Sequence, residues 1–211
     1  YGNVHLVLNN EGVAAGNSAG KALWEAPDEA WPWVMGVNFY GVLYGVQTFI
    51  PHMLEHGEES YVVNTASLAA VMPMGGSYGV SKHGVLALTE GVQSDLERRG
   101  ANIRAGVLCP GFVDTQIFAA ERNRPGAEQN HTDPDDPQYE AVKTMLANGK
   151  SPAEIAEYVF DAMAAEQFYM LPHPAWDDFV SSRTEQILAR QGVATMDMMT
   201  MLERSAKGEQ F

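Results

Sequence analysis

The sequence contains a single cysteine, Cys109, so no disulfide can form within the chain, and a disulfide-stapled secreted miniature is excluded. Basic residues are also scarce, with 13 Lys and Arg against 27 Asp and Glu. The resulting net charge of −14 repels polyanions over most of the surface, which argues against nucleic acid or an anionic membrane face as partners. No apolar run approaches the roughly 20 residues that a membrane-spanning helix needs. The opening residues lack the basic start and apolar block of a secretory signal, and a reducing cytoplasm is the expected location. What remains is an ordinary globular composition, 45% hydrophobic and 19% charged, in a 211-residue chain long enough for one domain with a substantial core.

Periodicity divides the chain into alternating strands and helices. Residues 4–8 form a short apolar run that empties into Asn9-Asn10-Glu11-Gly12, a buried strand followed by a polar turn. From residue 28 to 56, Val34, Val37, Val42, Val46, Phe49, Ile50 and Met53 recur at helical steps before Gly57, which predicts one long helix. Residues 61–65 read as a second strand and residues 77–99 as a second long helix ending before Gly100. A third strand over 103–108 is closed by Cys109-Pro110-Gly111. Residues 122–137, with prolines at 125, 134 and 137, read as a mobile surface insertion within 116–150. Ser151-Pro152-Ala153-Glu154 supplies a capping box and an N1 proline for a helix to about residue 165. A fourth short strand over 168–171 precedes two helices, 175–190 and 196–207, within a C-terminal helical part spanning 174–207. Strands separated by long helices predict an α/β fold, a doubly wound parallel sheet of Rossmann type in one domain over residues 1–211. Its chemistry belongs in the loops at the carboxyl ends of the strands, here those after residues 8, 65 and 108.

The second loop runs into Tyr78-Gly79-Val80-Ser81-Lys82. Tyrosine and lysine at i and i+4 share a helix face. A phenol ionises near pH 10, and lowering it by two or three units takes about 3 to 4 kcal/mol. One desolvated ammonium about 4 Å away supplies that much. Ser67, just past a strand end, can donate to a substrate oxygen that the phenol also faces. Asn38 is a lone polar residue in an apolar helix, and Pro110-Gly111-Phe112-Val113-Asp114-Thr115 offers backbone donors and a hydroxyl.

Taken in order, these motifs resemble those of the short-chain dehydrogenase/reductase family, from its fourth sheet strand to the C-terminus. Asn9-Asn10-Glu11-Gly12 resembles its Asn-Asn-Ala-Gly turn, Asn38 its helix asparagine, Ser67 its serine, Tyr78 and Lys82 its Tyr-x-x-x-Lys pair, and Pro110, Gly111 and Thr115 its Pro-Gly-x-x-x-Thr stretch. The resemblance implies NAD or NADP as cofactor, bound by Asn9, Gly12, Tyr78, Lys82, Pro110, Gly111, Val113 and Thr115. It further implies Tyr78 as general acid/base, Lys82 as the group that lowers its pKa and binds the nicotinamide ribose, Ser67 as the carbonyl-orienting hydroxyl, and Asn38 as support for a proton-relay water. The expected reaction is hydride transfer to or from a small-molecule secondary alcohol or ketone. Val71, Met72, Pro73, Met74, Phe112, Ile117 and Phe118 imply that the substrate is largely apolar. The resemblance also implies pairing of the two long helices across a two-fold axis, and with it a homodimer or homotetramer.

Three features depart from the family pattern. The serine-to-tyrosine loop is about two residues short, Glu11 puts a negative charge near the expected phosphates, and the glycine-rich phosphate turn falls before the first residue. The strand over 4–8 therefore lacks its neighbour, and the favoured expectation is a segment of a longer polypeptide, the alternative being that another chain or an altered packing covers that edge. In either case the 211 residues alone are expected to bind NAD(P) weakly and to turn over nothing. Two rival readings follow: a catalytically silent binding or regulatory protein, and cofactor-free lyase or dehalogenase chemistry, the latter disfavoured because it calls for arginine in place of Lys82. No metal site is expected. His52 and His56 stand at ligand spacing but lack the acidic residue of a zinc-protease helix, and they read as favourable helix-end groups. Gly16 to Lys21 fails the spacing of a phosphate loop, Cys109 reads as a small buried residue, and Met196, Met198, Met199 and Met201 as packing on a helix.

Overall fold

A computed structural model describes residues 2–15, 22–25, 30–126 and 137–193. Four strands, β1 (Leu6–Asn9), β2 (Ser60–Thr65), β3 (Ile103–Leu108) and β4 (Tyr169–Met170), lie side by side in chain order, and every pairing is parallel. The predicted α/β parallel sheet is what the chain forms. Short apolar runs with β-branched residues make the first three strands, because such side chains fit a pleated surface. Alternation then sorts them: Val62 is fully buried with Val7, Met53, Leu96 and Ala105 on one face, whereas Tyr61 and Val63 pack with Ile155, Val159 and Met170 on the other. Each buried valine or methionine contributes about 1.5–3 kcal/mol of apolar transfer.

The first face is covered by α2 (Val42–His56) and α3 (Gly76–Arg99), the second by α5 (Pro152–Ala164). Both long helices end at glycines in the left-handed region, Gly57 (φ 68°) and Gly100 (φ 60°). The capping box forms as predicted, with Ser151 Oγ accepting from Glu154 N–H at 3.2 Å and Glu154 Oε2 accepting from Ser151 N–H at 2.8 Å. β1 is the edge strand, and the face carrying Leu6 and Leu8 stays open, at 37% and 48% exposure.

Three predicted segments differ. The continuous helix over 28–56 is instead α1 (Ala30–Met35), a π-helical stretch Gly36–Gly41, and α2. Glycines at both ends of the stretch ease the widened turn, and hydrogen bonds from the side chain of Asn38 to another segment stabilise it. The insertion over 116–150 holds a 3-10 helix, Ile117–Asn123, and α4 (Pro137–Ala147), whose Met145 and Leu146 are buried. It is closed at its base by Asp114 N–H to Lys150 O at 2.9 Å and Lys150 N–H to Phe112 O at 3.2 Å. A short 3-10 turn, Pro174–Trp176, leads into α6 (Asp177–Ala189) in place of one helix over 175–190. The helix predicted over 196–207, with its methionines, and the segment 16–21 lie outside the described residues. Among the described residues no helix is long and apolar enough to cross a membrane.

Candidate active site

The carboxyl ends of β1, β2 and β3 open into one cavity of about 730 Å³. Gly12, Ser67, Tyr78, Lys82, Pro110, Gly111, Val113 and Thr115 all line it, so most of the residues singled out from sequence converge there. Asn9 and Asn38 do not line it. They form its foundations.

Asn9 and Asn64 are register partners at the ends of β1 and β2. Asn9 Nδ2 donates to Asn64 Oδ1 at 2.7 Å, Asn64 Nδ2 to Thr89 Oγ1 at 3.0 Å, and Thr89 Oγ1 to Val85 O at 2.7 Å. This buried chain ties two strand ends to α3. Gly45 has to be a glycine for it, because a Cβ there would stand 2.1 Å from Asn9 Oδ1. Asn38, with no exposed surface, accepts from Val13 N–H at 2.8 Å and donates to Val13 O at 3.0 Å and to Ser81 Oγ at 3.1 Å. Ser81 Oγ in turn donates to Tyr78 O at 2.7 Å. Both amide hydrogens of Asn38 are thereby engaged, and its side chain fixes the post-β1 loop against the turn of α3 that carries Tyr78. Burial demands this, since an unpaired amide here would cost about 1–3 kcal/mol.

Ser67 caps the short helix after β2 by accepting from Ala69 N–H at 3.2 Å, and its hydroxyl donates to Pro110 O at 3.4 Å. Despite the shorter loop between them, Ser67 and Tyr78 both line the cavity. Burial pushes the phenol above its ordinary value and outweighs the opposing influence of the nearby Ser67 hydroxyl. The lowered pKa inferred from Lys82 is therefore not found here: the ammonium lies 5.9 Å from the centre of the Tyr78 ring and donates to Thr65 O at 2.9 Å. Lys82 is only 2% exposed, and burial lowers it to about 8 against the attraction of Glu11. Among the described residues two of its three hydrogens remain without a partner, and they adjoin the cavity beside Gly12, whose Cβ would lie 3.6 Å from Nζ. A buried cation with unused donors in an open cavity fits a ligand bearing hydroxyl oxygens. Glu11, the departure from alanine, rests on Gly41, where a Cβ would come within 2.8 Å of its Oε1.

His173, which sequence reasoning passed over, holds the third loop. It is fully buried, accepts from Gly111 N–H at Nδ1 (3.0 Å) and pairs through Nε2 with Phe112 O (3.1 Å), which makes it a neutral Nε2–H imidazole. Burial drops its pKa to about 4. Gly111 is walled in, since a Cβ would meet Leu68 at 3.0 Å, His173 at 3.2 Å and Trp176 at 3.3 Å. The available signal was a lone histidine between Pro172 and Pro174, just past a strand. Cys109 is buried with its thiol pushed up to about 12, an inert group as expected.

Comparison with known proteins decides the family. The sequence profile described as short chain dehydrogenase matches residues 1–126, more than half of the chain. The chain belongs to the short-chain dehydrogenase family. It is 32% identical over 199 residues to the CLA biosynthesis dehydrogenase/reductase of Lactiplantibacillus plantarum, covering 89% of this chain and 67% of that protein. It is 31% identical over 171 residues to the 1-deoxy-11-beta-hydroxypentalenate dehydrogenase of Streptomyces exfoliatus, covering 80% of this chain and 54% of that one. Among solved structures, a short chain dehydrogenase/reductase from Burkholderia phymatum in complex with NAD superposes with a TM-score of 0.83 at 39% identity, over 93% of this chain and 71% of the other. This family member thus spans between about half and two thirds of the length of the curated relatives named.

Proposed function

We propose that the protein is an oxidoreductase that moves hydride between NAD(P) and a largely apolar secondary alcohol or ketone. The observation that carries this reading is the convergence of the Ser67 hydroxyl, the Tyr78 phenol and the buried ammonium of Lys82 on one apolar-walled cavity. Gly12, Lys82 and the stretch from Pro110 to Thr115 would hold the cofactor, which supplies or accepts the hydride. Ser67 orients the substrate oxygen, and Tyr78 exchanges a proton with it. Because burial keeps the phenol protonated at neutral pH, Tyr78 stands ready as an acid, which suits ketone reduction. Met72, Met74, Phe112, Ile117 and Phe118 line the mouth as anticipated, although Val71 and Pro73 do not, and this favours an apolar substrate. Asn38 works as a positioning residue in this reading and not as a direct proton carrier. We further propose association into a dimer or tetramer through α2 and α3, in keeping with Tyr44 at 60% exposure on α2; a monomer by light scattering would refute it.

Titration with NADH, followed by the blue shift of nicotinamide fluorescence, tests the cofactor. A catalytically silent member that has lost the dinucleotide gives no shift. Tyr78→Phe tests the chemistry: turnover is expected to fall by about 10²-fold or more while NADH affinity holds, because only a hydroxyl is lost. Retention of more than about a tenth of the rate removes Tyr78 from the mechanism.

A further inference from the structure

The amino ends of the strands, opposite the cavity, carry a second cluster of chemically capable side chains. His5 lies just before β1, His52 and His56 on the last turns of α2, and Glu58 just before β2. In sequence the two α2 histidines lack a partner acid. The parallel pairing of β1 with β2 supplies one, because it brings the approaches to both strands beside the end of α2. Ligand atoms of His5, His56 and Glu58 all lie within 4.8 Å of one another, and the rings of His5 and His56 are 5.1 Å apart. We propose that His5, His56 and Glu58 form a binding site for one divalent transition-metal ion of the zinc or nickel type.

Two imidazoles and a carboxylate are the donor set such borderline ions take, with the remaining position open to water. His5 Nε2 and Glu58 Oε2 are already 2.5 Å apart, so one ion can take the place of the hydrogen between them. His56 is oriented as metal-bound histidines usually are. Its Nδ1 accepts from Glu58 N–H at 3.1 Å, which leaves Nε2–H to donate to Val4 O at 3.1 Å. Ligation through Nδ1 keeps the Val4 bond and gives up only the Glu58 N–H contact, at a position where water replaces it. Glu58 has its other oxygen steadied by Asn3 Nδ2 at 2.8 Å, and His52 accepts from Val4 N–H at 3.3 Å, so Val4 is gripped from both sides. His5 and Glu58 are half exposed, which gives the ion access and lets both side chains close the remaining distance. An ion here would clip the start of the edge strand β1 to α2. Lying at the far end of the sheet, it would stay out of the catalytic cavity.

The test is calorimetric titration of zinc into the full chain, stripped of metal and free of any histidine tag. One zinc per chain is expected, with affinity falling more than about tenfold in His5→Ala and in Glu58→Gln, and with a zinc-dependent rise in melting temperature that both variants lose. Since both residues are exposed, neither substitution threatens folding. Absence of zinc binding, or equal affinity in the wild type and the two variants, overturns the site. The outcome does not depend on whether NADH binds.

Discussion

The two ends of the sheet solve the problem of polar groups in opposite ways. At the carboxyl ends, Asn9, Asn38, Asn64, Ser81, Lys82, Thr89 and His173 are buried, and their bonds run between segments far apart in sequence. At the amino ends, His5, Glu58, Glu59, Arg104 and Glu166 pair in solvent. Buried pairs are expensive to break because a lost partner leaves a desolvated group behind, whereas exposed pairs exchange protein contacts for water. The stability of the cavity floor is thus tied to its geometry, and the opposite rim is free to vary.

Lys82→Met breaks the comparison most severely. It removes an ammonium that is buried, makes a single hydrogen bond among the described residues and is held at about 8, so the fold should become more stable while NADH affinity and turnover both fall by more than about tenfold. A rise in melting temperature together with lost NADH fluorescence is the expected pair of readings. Unchanged affinity would contradict the role proposed for Lys82.

Asn38→Ala comes next. It unpairs the N–H and carbonyl of Val13 and withdraws a donor from Ser81 in a closed interior, so a loss of about 2–4 kcal/mol is expected from urea unfolding. Because the amide does not line the cavity, what turnover remains in the folded fraction should keep its pH profile. A shifted profile would mean that Asn38 reaches the reacting proton after all.

Most of this floor was legible in the sequence because each loop's chemistry is local: a polar turn after an apolar run, a Tyr and Lys one helical turn apart, a Pro-Gly stop. What stayed hidden depends on three-dimensional neighbours. His173 gains its role only where the fold carries it to Gly111, and Asn64 only where register sets it beside Asn9. The π-helical stretch was invisible because its apolar spacing still satisfies a helical period, while the widening is held by a bond from Asn38 to Val13. The phenol of Tyr78 was misjudged for a related reason: helical spacing shows that Lys82 is near, but not how thoroughly both groups are desolvated.

That desolvation gives a pH signature at the carboxyl end. Lys82 falls from 10.5 unfolded to about 8 folded, so between those values the unfolded chain holds more protons and stability rises with pH. Cys109 moves the other way, from 9.0 to about 12, and stability conferred by the neutral thiol is lost as pH climbs through that range. From about pH 8 to about 9 Lys82 acts alone, and the wild type should gain about 1 kcal/mol relative to Lys82→Met; above about 9 the two trends oppose. NADH affinity should decline over the same window as the ammonium is lost. If wild type and Lys82→Met respond identically to pH there, Lys82 is not buried as described.

The smallest effect belongs to the amino end. Arg104 reaches Glu59 at 2.9 Å and Glu166 at 2.7 Å, one guanidinium between two carboxylates, yet its side chain is 39% exposed and both acids are more so. Water and salt screen such pairs, and ordering three long side chains offsets much of the attraction, so Arg104→Ala is expected to cost at most about 1 kcal/mol. What the substitution does add is repulsion, because Glu59 and Glu166 lose the cation between them in a chain already at a net charge of −14. The loss should therefore be largest at low ionic strength and shrink toward zero as salt rises above the physiological range. Urea midpoints for wild type and variant at both salt levels measure this. A cost above about 2 kcal/mol that salt does not diminish would show that Arg104 is held as tightly as the amides beneath the cavity, and the contrast between the two ends would fail.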